Sequence, residues 1–390
     1  MKLKISKRAE KIKPSATLAV SALAREMKSA GRPVLSFSAG EPDFRSPARA
    51  IQEAADAMAR GETRYTATSG IPELKAAIAG YYKGRFGLEY KPSEVIVTGG
   101  AKAALFEAIS VLVDEGDEVL LPRPAWVSYV EQIELAGGTA KTADTSDTGF
   151  VPTKERMLAA LSDKTVGIII NTPHNPTGAV YGESAALAVA DIARERGLWV
   201  IYDEIYERLV YGGARHVNIV QAAPDIRDRV ILINGVSKTF SMTGWRIGYA
   251  LGPEDIIKKM DDIQSQIASN PSSISQWASV GAYAGADDET EARRAEFERR
   301  RDVLLGILGG IEGLSITRPD GAFYAFLDVR GTKIPDDMEF CRRLLEEKNV
   351  ALVPGAAFLA PGFVRMSYAC SEENIRVGAT RIGEFIRGLA

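Results

Sequence analysis

Val230-Ile231-Leu232-Ile233 runs straight into Asn234-Gly235-Val236-Ser237-Lys238, and Thr239-Phe240-Ser241-Met242-Thr243-Gly244-Trp245-Arg246 follows before a second apolar run from Ile247 to Leu251. A β-branched run closed by a polar glycine turn reads as a buried strand with its end open to solvent. The same pattern recurs from about Ser46 to Thr290. Val95-Ile96-Val97, Glu118 to Leu121, Val166 to Ile170 and Leu198 to Tyr202 read as further strands. Ile71 to Tyr82, Lys102 to Val113 and Glu183 to Arg196 read as the helices between them. This alternation predicts an α/β parallel sheet covered on both faces.

A charged helix from Asp287 to Leu308 leads out of that unit. Beyond it, Gly321 to Val329, Val350 to Val353 and Val364 to Tyr368 read as strands, with helices near Asp337 to Lys348 and Glu373 to Leu389. A chain of 390 residues, 46% hydrophobic, can bury more than one core. The expected partition is a large domain over 46–290 and a smaller α+β domain built from 1–45 and 291–390. Arg293, Arg294, Arg299, Arg300 and Arg301 are interleaved with Glu291, Glu296 and Glu298, which predicts a solvated helix face rather than a nucleic-acid patch.

The 48 basic and 51 acidic residues nearly cancel, so no overall field draws the protein to nucleic acid or an anionic membrane. Cys341 and Cys370 read as packing residues, and His174 and His216 are too few for most catalytic zinc sites, so no metal is expected. The start of the chain imitates a signal peptide, with lysines before Ala16-Thr17-Leu18-Ala19-Val20. Ser15 can instead cap a helix whose Leu18, Leu23 and Met27 fall near one face and which Gly31 ends. No uncharged apolar run reaches the roughly 18 residues of a membrane span, and the expected location is the cytoplasm.

In an open parallel sheet, ligands bind beyond the carboxyl ends of the strands. After Val97 comes Thr98-Gly99-Gly100-Ala101-Lys102, where a helix opens and free backbone N–H groups can hold a phosphate. The run Leu198 to Tyr202 ends in Asp203-Glu204-Ile205-Tyr206. That ending also suits a nucleotide hydrolase, but the chain has neither a Gly-x-x-x-x-Gly-Lys-Ser/Thr loop nor a Gly-x-Gly. Lys238, set among small and aromatic residues and followed by Arg246, reads as a functional amine beside a guanidinium suited to phosphate.

Ser237-Lys238 through Gly244-Trp245-Arg246-Ile247-Gly248-Tyr249 resembles the lysine motif of class I aminotransferases. Ala39-Gly40-Glu41-Pro42-Asp43-Phe44, Tyr65, Trp126, Asn171-Thr172-Pro173-His174-Asn175-Pro176-Thr177-Gly178, Asp203-x-x-Tyr206 and Arg365 stand in that family's order. The resemblance covers nearly the whole chain, is greatest to the bacterial-type aspartate aminotransferases, and implies the fold-type I architecture: a mostly parallel sheet flanked by helices, plus the smaller domain. It implies pyridoxal 5′-phosphate bound to Lys238 as a Schiff base, with amino transfer passing through pyridoxamine phosphate. Asp203 would pair with the ring nitrogen, and Asn175 and Tyr206 with the ring's phenolate oxygen. Trp126 would stack on the ring. Ser237, Arg246, the amides of Ala101 and Lys102, and the partner subunit's Tyr65 would hold the phosphate. Lys238 would also be the base. Arg365 would hold the substrate α-carboxylate, aided by Asn175 and the backbone of Gly40. A homodimer with shared sites follows, because Tyr65 and Asn270 would each reach across to the partner.

The resemblance narrows the substrate less. Animal and enteric aspartate aminotransferases grip the distal carboxylate with an arginine shortly before a Ser-Asn-Pro segment, and Gln264-Ser265-Gln266-Ile267-Ala268-Ser269-Asn270-Pro271 has none. The bacterial-type subgroup uses a lysine at the position of Lys102, which implies aspartate and 2-oxoglutarate as the pair. Thr17, within Lys13-Pro14-Ser15-Ala16-Thr17, with Lys102 resembles the pattern of members that transaminate prephenate. A β-lyase, or an aminotransferase for neutral or aromatic amino acids, remains open on the same scaffold.

Overall fold

The structure is a computed structural model that describes residues 3–12 and 14–389; Lys13 of the quoted N-terminal motif, and residues 1, 2 and 390 of the expected small domain, lie outside them. Strand β1 (Leu35–Ser36) precedes a seven-stranded sheet formed by β2 (Val95–Thr98), β3 (Glu118–Arg123), β4 (Thr139–Asp144), β5 (Thr165–Asn171), β6 (Trp199–Asp203), β7 (Val230–Gly235) and β8 (Gly248–Leu251). Its order is β2-β8-β7-β6-β5-β3-β4, parallel throughout except that β8 runs antiparallel to both neighbours. The sheet is therefore mostly, not wholly, parallel. The connection from β7 to β8 holds the short helix Val236–Thr239 and turns the chain back on the same side of the sheet, so β8 pairs antiparallel with β7. The candidate strands did not include β4: Thr-Ala-Lys-Thr-Ala-Asp lies at the sheet edge, half exposed, and carries no apolar run.

The β-branched runs alternate between two cores. Val95, Val97, Leu120, Ile168, Ile170, Val200, Val230 and Leu232 pack on one face. Ile96, Val119, Leu121, Ile169, Ile201, Ile231 and Ile233 pack on the other. Burying each such side chain contributes about 1.5–3 kcal/mol, so the sheet is a stiff platform whose strand ends hold their positions. Helices Pro72–Phe86 and Glu183–Arg196 cover the first face, and Ala101–Leu112 and Glu254–Ile267 the second.

A second sheet is antiparallel, in the order β12-β13-β10-β9. Its strands are β9 (Ser315–Ile316), β10 (Tyr324–Asp328), β12 (Val353–Pro354) and β13 (Phe363–Ser367), while β11 (Val350–Ala351) pairs with β1. One core joins Phe37, Phe297, Leu304, Phe340, Leu344, Ile375 and Ile382 against this sheet. The N-terminal helix spans Ala16–Ser29, but its inward face differs from the expected one: Ala24 is buried, while Leu18 is 68% exposed and Leu23 46% exposed. Ser15 stands at its N-cap without a side-chain capping bond. The arginine run is also corrected. Arg293, Arg300 and Arg301 are buried, because one face of the helix Asp287–Leu308 lies beneath Phe44, Tyr211 and Phe323, while Glu291 and Arg299 stay exposed on the other. Among the described residues no helix is long and apolar enough to cross a membrane.

Candidate active site

β2, β5, β6 and β7 point their carboxyl ends to one side of the sheet, and the polar residues that follow them meet there. Asp203, the last residue of β6, is buried. Its Oδ2 accepts from the Tyr129 hydroxyl at 2.6 Å and its Oδ1 from the Ile205 N–H at 3.2 Å. Burial raises the carboxyl to about 6, against the downward pull of those two bonds. Asn171, at the end of β5, donates to the Asp203 carbonyl at 3.0 Å and accepts the Asn175 N–H at 2.8 Å, which fixes the turn that carries Asn175.

The tight turn after β7 places Lys238 in the short helix Val236–Thr239. A side chain at Gly235 would meet the Ile247 carbonyl at 2.8 Å, so only glycine lets β7 and β8 close this far up. The Lys238 ammonium donates to the Gly40 carbonyl at 2.6 Å. Burial lowers its pKa to about 8; Glu41 opposes that shift, and Arg246 and Arg365 add to it.

Gly100, at φ 104°, opens the helix Ala101–Leu112. Its carbonyl takes the N–H groups of Ala103 and Ala104, and those of Ala101 and Lys102 keep no acceptor among the described residues. The Arg246 guanidinium lies against Gly100, donating to the carbonyls of Thr243 at 2.8 Å and Gly99 at 3.4 Å. Ser237 is buried at the start of the neighbouring short helix. Free amides at a helix start beside a guanidinium form an anion site. Trp126 meets Tyr129 edge to face at 5.3 Å, and the Lys102 ammonium stands 4.8 Å from the Trp126 ring centre. Lost solvation, then repulsion from Arg246, lowers the Lys102 pKa.

Arg365 comes from β13, across from Phe326 of β10. It is buried and donates to Asn175 Oδ1 at 2.9 Å and to the Ser38 carbonyl at 2.7 Å, while its Nε has no partner. Among the described residues no carboxylate lies within ion-pairing distance of it. Two aromatic rings, Tyr324 at 4.5 Å and Phe358 at 4.9 Å, flank the guanidinium. Burial lowers the Arg365 pKa, but a guanidinium keeps its charge. Because Asn175 turns its oxygen to Arg365, its amide N–H groups face elsewhere. The Tyr206 and Tyr324 hydroxyls are 2.9 Å apart, and a side chain at Gly40 would run into the Tyr324 hydroxyl.

Thus Gly40, Ala101, Lys102, Trp126, Asn175, Asp203, Tyr206, Ser237, Lys238, Arg246 and Arg365 are linked by one chain of bonds and contacts at the strand ends. Tyr65 does not join them within the chain; it projects outward, 91% exposed. Asn270 donates to the Pro271 carbonyl at 2.8 Å. Thr17 lies one turn from Ser21, whose hydroxyl is 2.8 Å from that of Ser38, and the Thr17 hydroxyl is buried without a partner among the described residues. Tyr129, Tyr324 and Ser38 belong to the site but were not singled out from sequence. Tyr129 stands three residues after Trp126, one helical turn on, and that spacing was the available signal. Tyr324 and Ser38 offered none, since both sit in patterns that read as packing.

Residues 32–382 match the model of the family described as Aminotransferase class I and II. An aspartate aminotransferase of Geobacillus stearothermophilus is 44% identical over 395 residues, spanning the whole of both chains. An aspartate/prephenate aminotransferase of Cereibacter sphaeroides is 42% identical over 392 residues, covering 97% of this chain and 98% of that one. The solved structure of Thermus thermophilus aspartate aminotransferase with maleate matches with a TM-score of 0.94 at 41% identity, covering 98% of this chain and all of the other.

Proposed function

This chain belongs to the class I and II aminotransferases and is a pyridoxal-phosphate-dependent enzyme, and on that premise we propose that it transfers an amino group between L-aspartate and 2-oxoglutarate. The observation that carries this reading is Arg365, a buried guanidinium whose Nε is unfilled and which has no acid of its own among the described residues. Leaving a buried charge so placed is costly unless a ligand completes it, and an α-carboxylate matches its fork. Lys102 supplies a second cation for a distal carboxylate. The Thermus relative, solved with the dicarboxylate maleate, agrees with this choice. Prephenate, also a dicarboxylate, is a second acceptor on this reading, favoured by the unpartnered Thr17 hydroxyl and by the Cereibacter relative.

The donor set fits the cofactor. The amides of Ala101 and Lys102, with Ser237 and Arg246, would hold the phosphate, Trp126 would cover the ring, and Asn175 and Tyr206 would bond its phenolate oxygen. Pyridoxal phosphate, when bound, supplies a carbonyl carbon for an amine and a ring that takes up the electron pair of the substrate's Cα–H bond. Asp203, buried and oriented by Tyr129, would hold a proton at the ring nitrogen. Lys238 Nζ, its pKa brought down to about 8 by burial, would be the base that moves the proton between the substrate's Cα and the cofactor's C4′. Arg365 and Asn175 orient the α-carboxylate so that the Cα–H bond faces Lys238.

The partition into 46–290 and 1–45 with 291–390 belongs to the same proposal. Pairing of β1 with β11 ties the N-terminal segment to the C-terminal third, and Arg365 comes from the second sheet while Lys238 comes from the first. Closure of the smaller domain would bring Arg365 onto the substrate and exclude water. The working unit is a homodimer in which the partner subunit's Tyr65 completes the phosphate site; its 91% exposure in the single chain supports this. A cytoplasmic location accords with two unbridged cysteines.

The test is the visible absorbance of the protein with added pyridoxal phosphate, before and after excess L-aspartate. The wild type should show a lysine-bound band that aspartate converts, and Lys238→Ala should show none. A band that ignores aspartate would remove the substrate assignment and leave the cofactor in place.

A further inference from the structure

Phe326 and Arg365 are direct partners in the pairing of β10 with β13, and Tyr324 and Ser367 are the next pair on the same face. Tyr324 therefore lies diagonally beneath Arg365, with the guanidinium 4.5 Å from its ring centre. Its hydroxyl reaches Tyr206 at 2.9 Å and packs onto Gly40, whose carbonyl holds Lys238. A single buried phenol thus touches the residue that grips the substrate, the residue assigned to the ring oxygen and the segment that seats the lysine.

Each phenol has one proton to donate. Burial raises both hydroxyls above the ordinary tyrosine range, so both protons stay in place across neutral pH. If Tyr206 spends its proton on the ring oxygen, the bond between the two tyrosines can run in only one direction. We infer that Tyr324 is a positioning residue: its hydroxyl donates to Tyr206, which directs the Tyr206 proton to the cofactor's phenolate oxygen, and its ring seats Arg365. This rests on the reading of Tyr206 given above. The Arg365 charge over the Tyr324 ring makes that phenol the better donor, and a hydrogen-bond chain strengthens each member. One residue then couples the carboxylate grip to the basicity of the lysine-bound cofactor.

The charged and titratable groups facing this pair are Arg365 and Asp203, and those facing Lys238 are Glu41, Arg246, Arg365 and Asp203. A Tyr324→Phe change alters none of them. The test is a substrate-free pH titration of the visible band of the loaded protein in wild type, Tyr324→Phe, Tyr206→Phe and the double variant. Thermal unfolding of each apoprotein serves as the folding control. The Tyr324→Phe midpoint should rise by roughly half a unit to one unit, the size expected for one lost hydrogen bond. Tyr206→Phe should shift it further, and the double variant should match Tyr206→Phe alone. A wild-type midpoint in Tyr324→Phe, or full additivity in the double variant, overturns the coupling while leaving the Tyr206 assignment standing. No shift in Tyr206→Phe overturns that assignment and the inference with it. Tyr324→Leu, which also removes the ring, should raise KM for aspartate roughly three- to tenfold beyond Tyr324→Phe. An equal KM in the two variants removes the ring's role in seating Arg365.

Discussion

Arg301 on the long helix Asp287–Leu308 and Arg365 on β13 are both withdrawn from water, but their surroundings differ. Arg301 donates to the Pro319 carbonyl and to Glu298 and Asp302, and lies over the Tyr211 ring. Its neighbours behave alike: Arg300 bonds Asp43 and Glu296, and Arg293 bonds Glu289 and the carbonyls of Phe240 and Arg45. Among the described residues Arg365 has only a carbonyl and an amide oxygen, and its Nε is unfilled. A buried cation whose partners are all internal ties elements together. One left incomplete, with aromatic walls and no acid, is arranged for an anion that comes and goes. Burial alone therefore does not separate scaffold from site, whereas the count of filled donors does.

The strongest test of that distinction removes the two guanidiniums in turn. Arg365→Met should lower kcat/KM for aspartate by roughly two to four powers of ten, as loss of one member of a buried charged pair does. The unfolding temperature of the apoprotein should hold or rise, because an unpaired buried charge has gone. A sharp loss of stability would place Arg365 with the scaffold instead. Lys238 is a further cation largely withdrawn from water, held among the described residues only by the Gly40 carbonyl, and it extends the comparison to pH. Its folded pKa is about 8, against 10.5 for the free group. Below pH 8 both folded and unfolded chains hold the proton, and the folded apoprotein bears the full burial cost of about 3 kcal/mol. Between 8 and 10.5 the unfolded chain holds more protons, so stability rises with pH. Lys238→Met should be more stable than the wild-type apoprotein below pH 8, with the difference shrinking across that window. Denaturant unfolding from pH 7 to 11 checks this; a flat difference would mean that the lysine is as well compensated as Arg301.

Arg301→Met should do the reverse of Arg365→Met. Losing its bonds to Pro319, Glu298 and Asp302 should cost about 1–3 kcal/mol, read as a lower denaturation midpoint, with kcat and KM for aspartate within about twofold of wild type. A collapse of kcat would show that the helix reaches the chemistry through the Arg300–Asp43 bridge to the Gly40 segment.

The same contrast explains which features could be read in the sequence. Lys238, Asp203 and the Gly100 turn each follow an apolar run, so strand periodicity and the strand-end rule locate them without knowledge of contacts. Arg365 also shows, by alternation within a strand. The arginine run misleads because interleaved glutamates describe the helix alone, whereas Phe44, Tyr211 and Phe323, which cover it, come from distant parts of the chain. Leu18 and Leu23 mislead in the opposite sense, since the cluster of Val34, Leu345 and Ala351 takes Ala24 and leaves those two leucines out. Strand β4 escapes because an edge strand needs no apolar run. Tyr129 and Tyr324 escape because a tyrosine in a core pattern reads as packing, and only the meeting of β10 with β13, or of a helix with β6, shows what its hydroxyl holds.

The smallest expected effect concerns a cation that is not buried. Lys102 stands at the mouth of the site over Trp126, so water screens it more than Arg365 and its contribution to binding is modest. Lys102→Met keeps the stem against the ring and removes the charge. KM for aspartate should rise roughly two- to fivefold, the scale of one solvent-screened ion pair to a carboxylate, while turnover of L-alanine, which has no distal carboxylate, stays near its wild-type value. If both substrates weaken equally, Lys102 works by holding Trp126 over the ring. In that case the distal carboxylate must be met by another group, and the nearest test is whether added salt weakens aspartate binding at all.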